Sequence, residues 1–157
     1  DLSPDVLGVA RRNIEHVFAQ GNQPVQNILL TAYNIEQILN LLSQEDRVER
    51  LYINFCNPWP KGKHHKKRLT HTRQLMKYKQ FLTDGAQIHF KTDNSDLYLA
   101  TQRYLRESGF EILYRTDDLY RENCSENIRT EHEIMFSKQG IPIKKIIACY
   151  HRENDAS

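Results

Sequence analysis

Glycine, proline and cysteine are all scarce in this sequence. Six glycines and five prolines among 157 residues are too few for a collagen-like or linker-like chain. The three cysteines are odd in number and form no C-x-x-C pair, so neither a disulfide framework nor a zinc site is indicated. The chain also lacks a long apolar run and the basic-then-apolar order of a signal peptide. We therefore expect a reduced, soluble, cytoplasmic protein that spans no membrane.

Several catalytic signatures are missing as well. The sequence contains no G-x-S-x-G, H-E-x-x-H or P-loop motif and no glycine-rich nucleotide-binding turn. His64 and His65 are adjacent rather than four residues apart, so they do not form a metal-binding pair on one helix face. These absences argue against the hydrolase, zinc-protease and P-loop classes, and we expect no metal site.

What the sequence does contain is a local concentration of positive charge. Its 22 basic and 20 acidic residues nearly balance, yet residues 61–73 (KGKHHKKRLTHTR) hold six lysines and arginines and no acid. The rest of the chain is therefore net acidic. A cationic patch on an acidic body predicts that a polyanion binds at one place, although a solvated loop is the simpler explanation of a charge run alone.

Short apolar runs alternate with helical patterns along the chain. We predict helices over 4–19, 35–42, 70–82, 93–107 and 130–139, and strands over 27–31, 48–55, 86–92, 110–115 and 141–150. This alternation predicts an α/β fold with a mainly parallel sheet in one domain over residues 1–157. Ligands of such sheets bind beyond the carboxyl ends of strands, which selects Asn34, residues 56–61 and residues 92–94.

The most informative segment is NFCNPWPKGKHHKKRLTH, residues 54–71. Two prolines stiffen the loop that follows a strand, because each fixes φ near −65°. Trp59 offers a flat face on which a base can stack, or it packs in the core. A stiff aromatic turn at the end of a strand favours the binding interpretation.

The second segment is HFKTDN, residues 89–94, a strand that ends in an acid. Asp93 can cap the following helix. Its carboxylate can instead accept hydrogen bonds from the ring N–H and amino group of guanine, which are adjacent donors. The sequence leaves both roles open.

The third segment is RTEHE, residues 129–133. Thr130 and Glu133 fit the S/T-x-x-E capping box, in which each side chain bonds the other residue's backbone N–H. Taken alone, this pattern favours a structural role over a binding site.

Together these three segments resemble the bacterial tRNA (guanine-N7-)-methyltransferase family. That family typically has a strand followed by acid-Pro-Trp and a basic loop, then His-Phe-Lys-Thr-Asp-Asn, then Thr-Glu-Tyr-Glu before a phenylalanine. Here the three stand in the same order as NFCNPWPKGKHHKKRLTH, HFKTDN and TEHEIMF. The resemblance implies a class I (Rossmann-like) methyltransferase that transfers methyl from S-adenosylmethionine to N7 of a guanine in the tRNA variable loop.

The resemblance also assigns residues position by position. It implies that the cofactor is held by Asp1, Asn34 and Asn57, with Asn57 also the active-site residue. It implies substrate contacts at Lys61, Asp93, Thr130, Glu131, His132 and Glu133. We further expect tRNA phosphates to contact Lys63, Lys66, Lys67 and Arg68. The partner is then tRNA, and the protein is a monomer or a homodimer.

Two features depart from the family pattern. Asn34 and Asn57 stand where the family has acids, so each position keeps a carbonyl acceptor but loses a negative charge. The family's first strand and glycine-rich cofactor turn would lie before Asp1, so we expect this domain to be truncated at its N-terminus, with weak cofactor binding and an exposed strand edge. The alternatives are a catalytically silent RNA-binding module, which the lost acids would suit, and a methyltransferase for another RNA.

Overall fold

A computed structural model describes residues 3–122 and 125–155 of the chain. The backbone forms two compact units, Asp1–Leu41 and Leu42–Ser157, and each is described here by itself. None of the helices in the described ranges combines the length and the apolar character that a membrane span requires.

The first unit contains helix α1, Pro4–Gln20, which begins where the sequence predicts. Ser3 caps it by accepting a hydrogen bond from the Val6 N–H at 3.5 Å, and the proline occupies its first turn. The strand expected over 27–31 is wrong, since those residues have no ladder partner in the described chain and Leu29 is 99% exposed. A short 3-10 helix, Ile35–Asn40, replaces the longer helix expected after it.

The second unit is a four-stranded sheet with helices. Its strands are β1 (Val48–Asn54), β2 (Leu82–Thr92), β3 (Glu111–Thr116) and β4 (Lys144–Cys149), in the order β1-β2-β4-β3. Its helices are α2 (Thr72–Tyr78), α3 (Ser95–Glu107) and α4 (Glu131–Lys138), with 3-10 turns over Gly62–Lys67 and Arg152–Asp155. The predicted α/β class is confirmed.

The directions of the strands differ in part from the mainly parallel sheet that we expected. In the described chain β1 and β2 are parallel, whereas β4 runs antiparallel to both β2 and β3. Alternation of helices and strands indicates crossovers but does not report the direction in which the last strand returns, so the sequence could not distinguish these arrangements.

The core of the second unit lies between the sheet and α3. Phe90 and Ile146 on neighbouring strands are 0% exposed, as is Leu97 on the helix. Burying each such side chain stabilises the fold by roughly 1.5–3 kcal/mol. This core therefore holds the sheet in place, and the loops leave from the edge of that sheet.

Two helix caps differ from their predicted positions by one residue. His71, not Thr70, caps α2, because its Nδ1 accepts the Arg73 N–H at 3.1 Å. Thr70 is buried and shares a 2.7 Å hydrogen bond with the Thr101 hydroxyl. Asn94, not Asp93, caps α3 by accepting the Leu97 N–H at 2.8 Å. Side chains of similar capping ability stood side by side, and backbone geometry selected between them.

Candidate active site

The carboxyl ends of β1 and β2 meet at one edge of the sheet. The two strands are in register there, with Asn54 opposite Lys91, and the Phe55 N–H donates to the Lys91 carbonyl at 2.9 Å. The loop that starts at Phe55 and the turn that contains Asp93 therefore leave the sheet side by side. This is the arrangement that parallel strands were expected to produce for two of the three predicted positions.

The structure does not test two of the residues that were assigned to the cofactor. Asn34 belongs to the first unit, where its side-chain carbonyl accepts the Glu36 N–H at 3.0 Å and caps the short helix. Asp1 lies outside the described residues. Both assignments stay predictions.

The loop after β1 has an unusual backbone. Phe55 and Trp59 have φ of 54° and 42°, in the left-handed region that costs a non-glycine residue roughly 1–3 kcal/mol. Between them the Asn57 side-chain carbonyl accepts the Trp59 N–H at 3.0 Å, which closes an Asx-type turn. Asn57 is itself exposed, with its amide group beyond the end of β1. Backbone strain of this kind is common at functional sites.

Arg68 holds this loop in place from beneath. It is 3% exposed, its Nε donates to the Pro58 carbonyl at 2.7 Å, and a terminal guanidinium nitrogen donates to the Tyr104 hydroxyl at 3.1 Å. The expected contact of Arg68 with a tRNA phosphate stays a prediction, and two of the guanidinium's N–H groups already bond within the chain. A partly buried carbonyl is stabilised by a donor, and Arg68 supplies one although its neighbours in the basic run are exposed.

Replacing Arg68 with alanine should lower stability more than replacing a solvent-exposed lysine of the same run. The change leaves the Pro58 carbonyl and the Tyr104 hydroxyl without their donor, which we expect to cost about 1–3 kcal/mol. A thermal melt of the full-length protein measures this, with Lys63→Ala as the exposed control at about 0.5 kcal/mol or less. Equal melting temperatures for the two variants would contradict the structural role.

The lysines of the basic loop are solvent-exposed, and one of them lies beside the tryptophan. Lys61, Lys63 and Lys66 are exposed. The Lys67 Nζ lies 5.0 Å from the centroid of the Trp59 ring, and the His64 ring meets that ring edge-on at 5.7 Å. Trp59 is half-buried. A stiff, cationic and aromatic surface suits a nucleic-acid backbone with unpaired bases.

Asp93 is free of the capping role because Asn94 fills it. It is partly exposed, and its backbone carbonyl accepts a 3.1 Å hydrogen bond from Nζ of Lys144. That lysine is 8% exposed and also donates to the Pro142 carbonyl at 3.1 Å. The backbone at Asp93 is thus fixed by a buried side chain, while its carboxylate remains available to a ligand.

The capping box predicted for the third segment is confirmed. The Glu133 N–H donates to the Thr130 hydroxyl at 3.2 Å, and the Thr130 N–H donates to a Glu133 carboxylate oxygen at 3.3 Å. This reciprocal pair begins α4 and fixes where Glu131 and His132 project.

Glu133 has further partners that the sequence did not indicate. Its side chain is 0% exposed, with one carboxylate oxygen 2.8 Å from Nζ of Lys91 and the other 2.5 Å from Nδ2 of Asn127. Burial alone would raise the pKa of Glu133, but the hydrogen bonds from Lys91 and Asn127 outweigh it and lower that pKa. A carboxylate so enclosed anchors the start of α4, and its expected contact with the substrate base stays a prediction.

The exposed residues of the third segment reach the loop of the first. The ring of His132 stacks on Phe55, with centroids 5.6 Å apart and planes at 18°, and Phe136 lies 5.7 Å from Phe55. The structure therefore brings residues 55–61, 91–94 and 130–133 to one edge. Phe55 and Lys91 are the members of this site that the sequence analysis missed, and a lysine near the end of an apolar strand was the available signal.

The chemistry of this edge favours binding and orientation over covalent catalysis. It combines the Asp93 carboxylate, stacked rings and flanking lysines. The nearby thiol is not an activated nucleophile, because burial raises the pKa of Cys56 to about 11. Such a site can hold a planar base through its edge and its face while lysines meet an attached phosphate chain.

Comparison with known proteins yields one family. Residues 4–146 match the family described as "Putative methyltransferase". The tRNA (guanine-N(7)-)-methyltransferase of Clostridium perfringens (strain 13 / Type A) is 50% identical over 148 residues, which cover 94% of this chain and 68% of that protein. The enzyme of the same name from Ruminiclostridium cellulolyticum is 51% identical over 154 residues, 98% of this chain and 65% of that protein. This chain spans about two thirds of the length of these relatives.

One solved structure supports the fold. A chain of the complex that contains the Haloferax volcanii Trm112 methyltransferase activator aligns with a TM-score of 0.52, covering 93% of this chain and 79% of that chain. At 8% identity this likeness concerns the fold alone. It is consistent with the methyltransferase architecture that the three segments predicted.

Proposed function

This chain belongs to the tRNA (guanine-N(7)-)-methyltransferase family, as the sequence resemblance predicted, and we propose that the protein methylates N7 of a guanine in the tRNA variable loop. The observation that carries the proposal is the meeting of the three family segments at the carboxyl edge of β1 and β2. About half of all residues are shared with relatives of that name, and the shared region includes this edge. The proposed substrate also suits a cytoplasmic location.

The reaction asks for alignment more than for acid–base catalysis. S-adenosylmethionine, when bound, supplies a sulfonium methyl that the N7 lone pair attacks, so that an N–C bond forms as the S–C bond breaks and its electrons stay on sulfur. Guanine N7 carries no proton, so no general base has to act first. The contribution of the protein is to hold the two reactants in line and to keep water out.

The residues at the edge suit this task. The Asp93 carboxylate can accept from the guanine ring N–H and amino group, which leaves N7 on the opposite side of the base for the methyl donor. The stacked rings of Phe55 and His132 offer a face for the base. Lys61 and its neighbours then meet the phosphates on either side.

A methyl donor fits this edge in part. Asn57 is exposed in the loop after β1, and its side-chain carbonyl accepts the Trp59 N–H. The side-chain NH2 group is therefore the part that can donate to a ligand. Asn57 would therefore orient the donor or the base through hydrogen bonds. Asp1 and Asn34 would hold the remaining part of the donor as the resemblance implies.

Replacing Asn57 with aspartate should preserve or raise the rate of methyl transfer. A carboxylate can still accept the Trp59 N–H, so the turn survives, and its charge stabilises the positive charge that moves from sulfonium to purine. We expect kcat between unchanged and roughly tenfold higher. Single-turnover transfer to a tRNA transcript measures this, and a collapse of activity would mean that the protein depends on the amide itself.

The competing function is a silent RNA-binding module. It is favoured by one observation, that the side-chain carbonyls of Asn34 and Asn57 are both engaged in local turns where the family has acids. It predicts salt-sensitive tRNA binding without binding of S-adenosylmethionine. Calorimetric titration of the full-length protein with S-adenosylmethionine distinguishes the two, since binding supports the enzyme and its absence supports the module.

A further inference from the structure

Lys91 is a buried lysine at the centre of the site, and neither the family assignment nor the proposed chemistry gives it a role. Its side chain is only 8% exposed, whereas the ammonium group of a typical surface lysine is surrounded by water. It stands two residues before Asp93 on β2. Burying a charged group costs desolvation free energy, which only well-placed partners offset. The partners of the Lys91 ammonium group therefore explain why it can be buried here.

Three contacts join Lys91 to the other two segments of the site. Its backbone carbonyl accepts the Phe55 N–H at 2.9 Å, which ties it to the loop after β1. Its Nζ donates to the Ile128 carbonyl at 2.9 Å and to the Glu133 carboxylate at 2.8 Å, which ties it to the start of α4. One residue thus bonds to both segments that flank Asp93.

The partners of Lys91 are arranged to keep it in place. Glu133 is 0% exposed and also takes Nδ2 of Asn127 and the Thr130 N–H, so its carboxylate cannot turn toward solvent without breaking the cap of α4. Lys145 faces Lys91 directly across the β2–β4 ladder, which adds a like charge that the Glu133 carboxylate offsets. We call the buried ion pair of Lys91 and Glu133 the lock, because it joins β2 to the start of α4.

We propose that Lys91 is a positioning residue for methyl transfer, which acts through Glu133 and Ile128 to hold residues 128–133 against the end of β2. With this lock closed, the exposed His132 ring stays stacked on Phe55 beside Asp93. With it open, the capping box still forms within α4, but the helix start is no longer tied to the strand that carries Asp93. This inference rests on the proposed function, because it assigns Lys91 to the alignment of guanine.

The test compares Lys91→Met with Lys79→Met in the full-length protein. Lys79 is a matched control, since its side chain is also 8% exposed and also pairs with an acid, Asp155, outside the three segments. We expect Lys91→Met to lower kcat/KM for tRNA by at least about tenfold while KM for S-adenosylmethionine changes by less than about twofold. Lys79→Met should leave both values near those of the wild type. A Lys91→Met enzyme with wild-type kcat/KM for tRNA, or an equal loss in Lys79→Met, would overturn the proposal.

A second readout does not depend on activity. Amide hydrogen exchange over residues 125–138 should become faster in Lys91→Met, whereas exchange in α3 should stay as in the wild type. If the methionine variant does not fold, Glu133→Gln takes its place in the test. This variant retains an acceptor for Lys91 but removes the charge pair, and exchange over residues 125–138 should again become faster. If the wild type transfers no methyl at all, the proposed function fails. Unchanged exchange in residues 125–138 would contradict the lock in either case.

Discussion

Replacing Asp93 with alanine is expected to reduce methyl transfer to tRNA by at least about 100-fold while leaving the protein folded. The carboxylate does not cap α3, because Asn94 does, and the Asp93 backbone is held through its carbonyl by Lys144. Removing the side chain therefore takes away the acceptors for the guanine edge, and the Asp93 carboxylate makes no hydrogen bond or ion pair within the described residues. Initial rates with saturating S-adenosylmethionine and limiting tRNA measure the effect.

The control for this variant is Asp96→Ala. Asp96 is exposed in the first turn of α3, three residues after Asp93. The Asp96→Ala variant therefore removes the same charge from a nearby position. We expect its rate to stay within about threefold of the wild type, because Asp96 is exposed on α3 and does not lie in the turn that ends β2. Comparable losses in both variants would assign the effect to local charge, and full activity in Asp93→Ala would refute the role of Asp93.

Neutralising the exposed lysines of the basic loop should weaken tRNA binding and flatten its dependence on salt. The triple variant Lys63→Ala, Lys66→Ala, Lys67→Ala removes three solvent-exposed cations but leaves the buried Arg68 to hold the loop. Each lost phosphate contact lowers the slope of log K against log salt by about 0.7–0.9, so the triple variant should lose roughly 2 to 3. Filter binding or fluorescence anisotropy over a salt series measures both quantities.

A charge-matched variant separates this effect from net charge. Arg12→Ala, Arg106→Ala, Lys138→Ala removes three exposed cations from helices outside the basic loop. It should bind tRNA with nearly the wild-type slope. An unchanged slope in the loop variant, or an equal change in both, would show that phosphates do not meet the loop lysines.

The parts of the fold that the sequence predicted are those with local causes. The start of α1 follows from a serine before a proline, and the capping box of α4 from a threonine and a glutamate at the required spacing. Residues 27–31 were predicted as a strand from their apolar character, yet a strand also needs a partner. In the described chain no strand pairs with them, so the apolar pattern alone was insufficient.

The site was predictable to a similar degree. Two loops meet because β1 and β2 are parallel, which the alternation of helices and strands indicated. The third segment begins a helix, and the contacts that place that helix are tertiary: the ion pair of Lys91 with Glu133 and the stacking of His132 on Phe55. The burial of Arg68 was not predictable for a related reason. Its neighbours in the sequence are exposed cations, and its partner Tyr104 lies 36 residues away.

The measurement that tests the central claim most directly compares two tRNA molecules that differ in one atom. The full-length protein is incubated with S-adenosylmethionine carrying a labelled methyl and with tRNA that has either guanosine or 7-deazaguanosine at the variable-loop position. We predict label in the guanosine tRNA, mapped to that position, and none in the tRNA that has carbon in place of N7. Equal labelling of both, or label at another base, would contradict the assignment of guanine N7 as the acceptor.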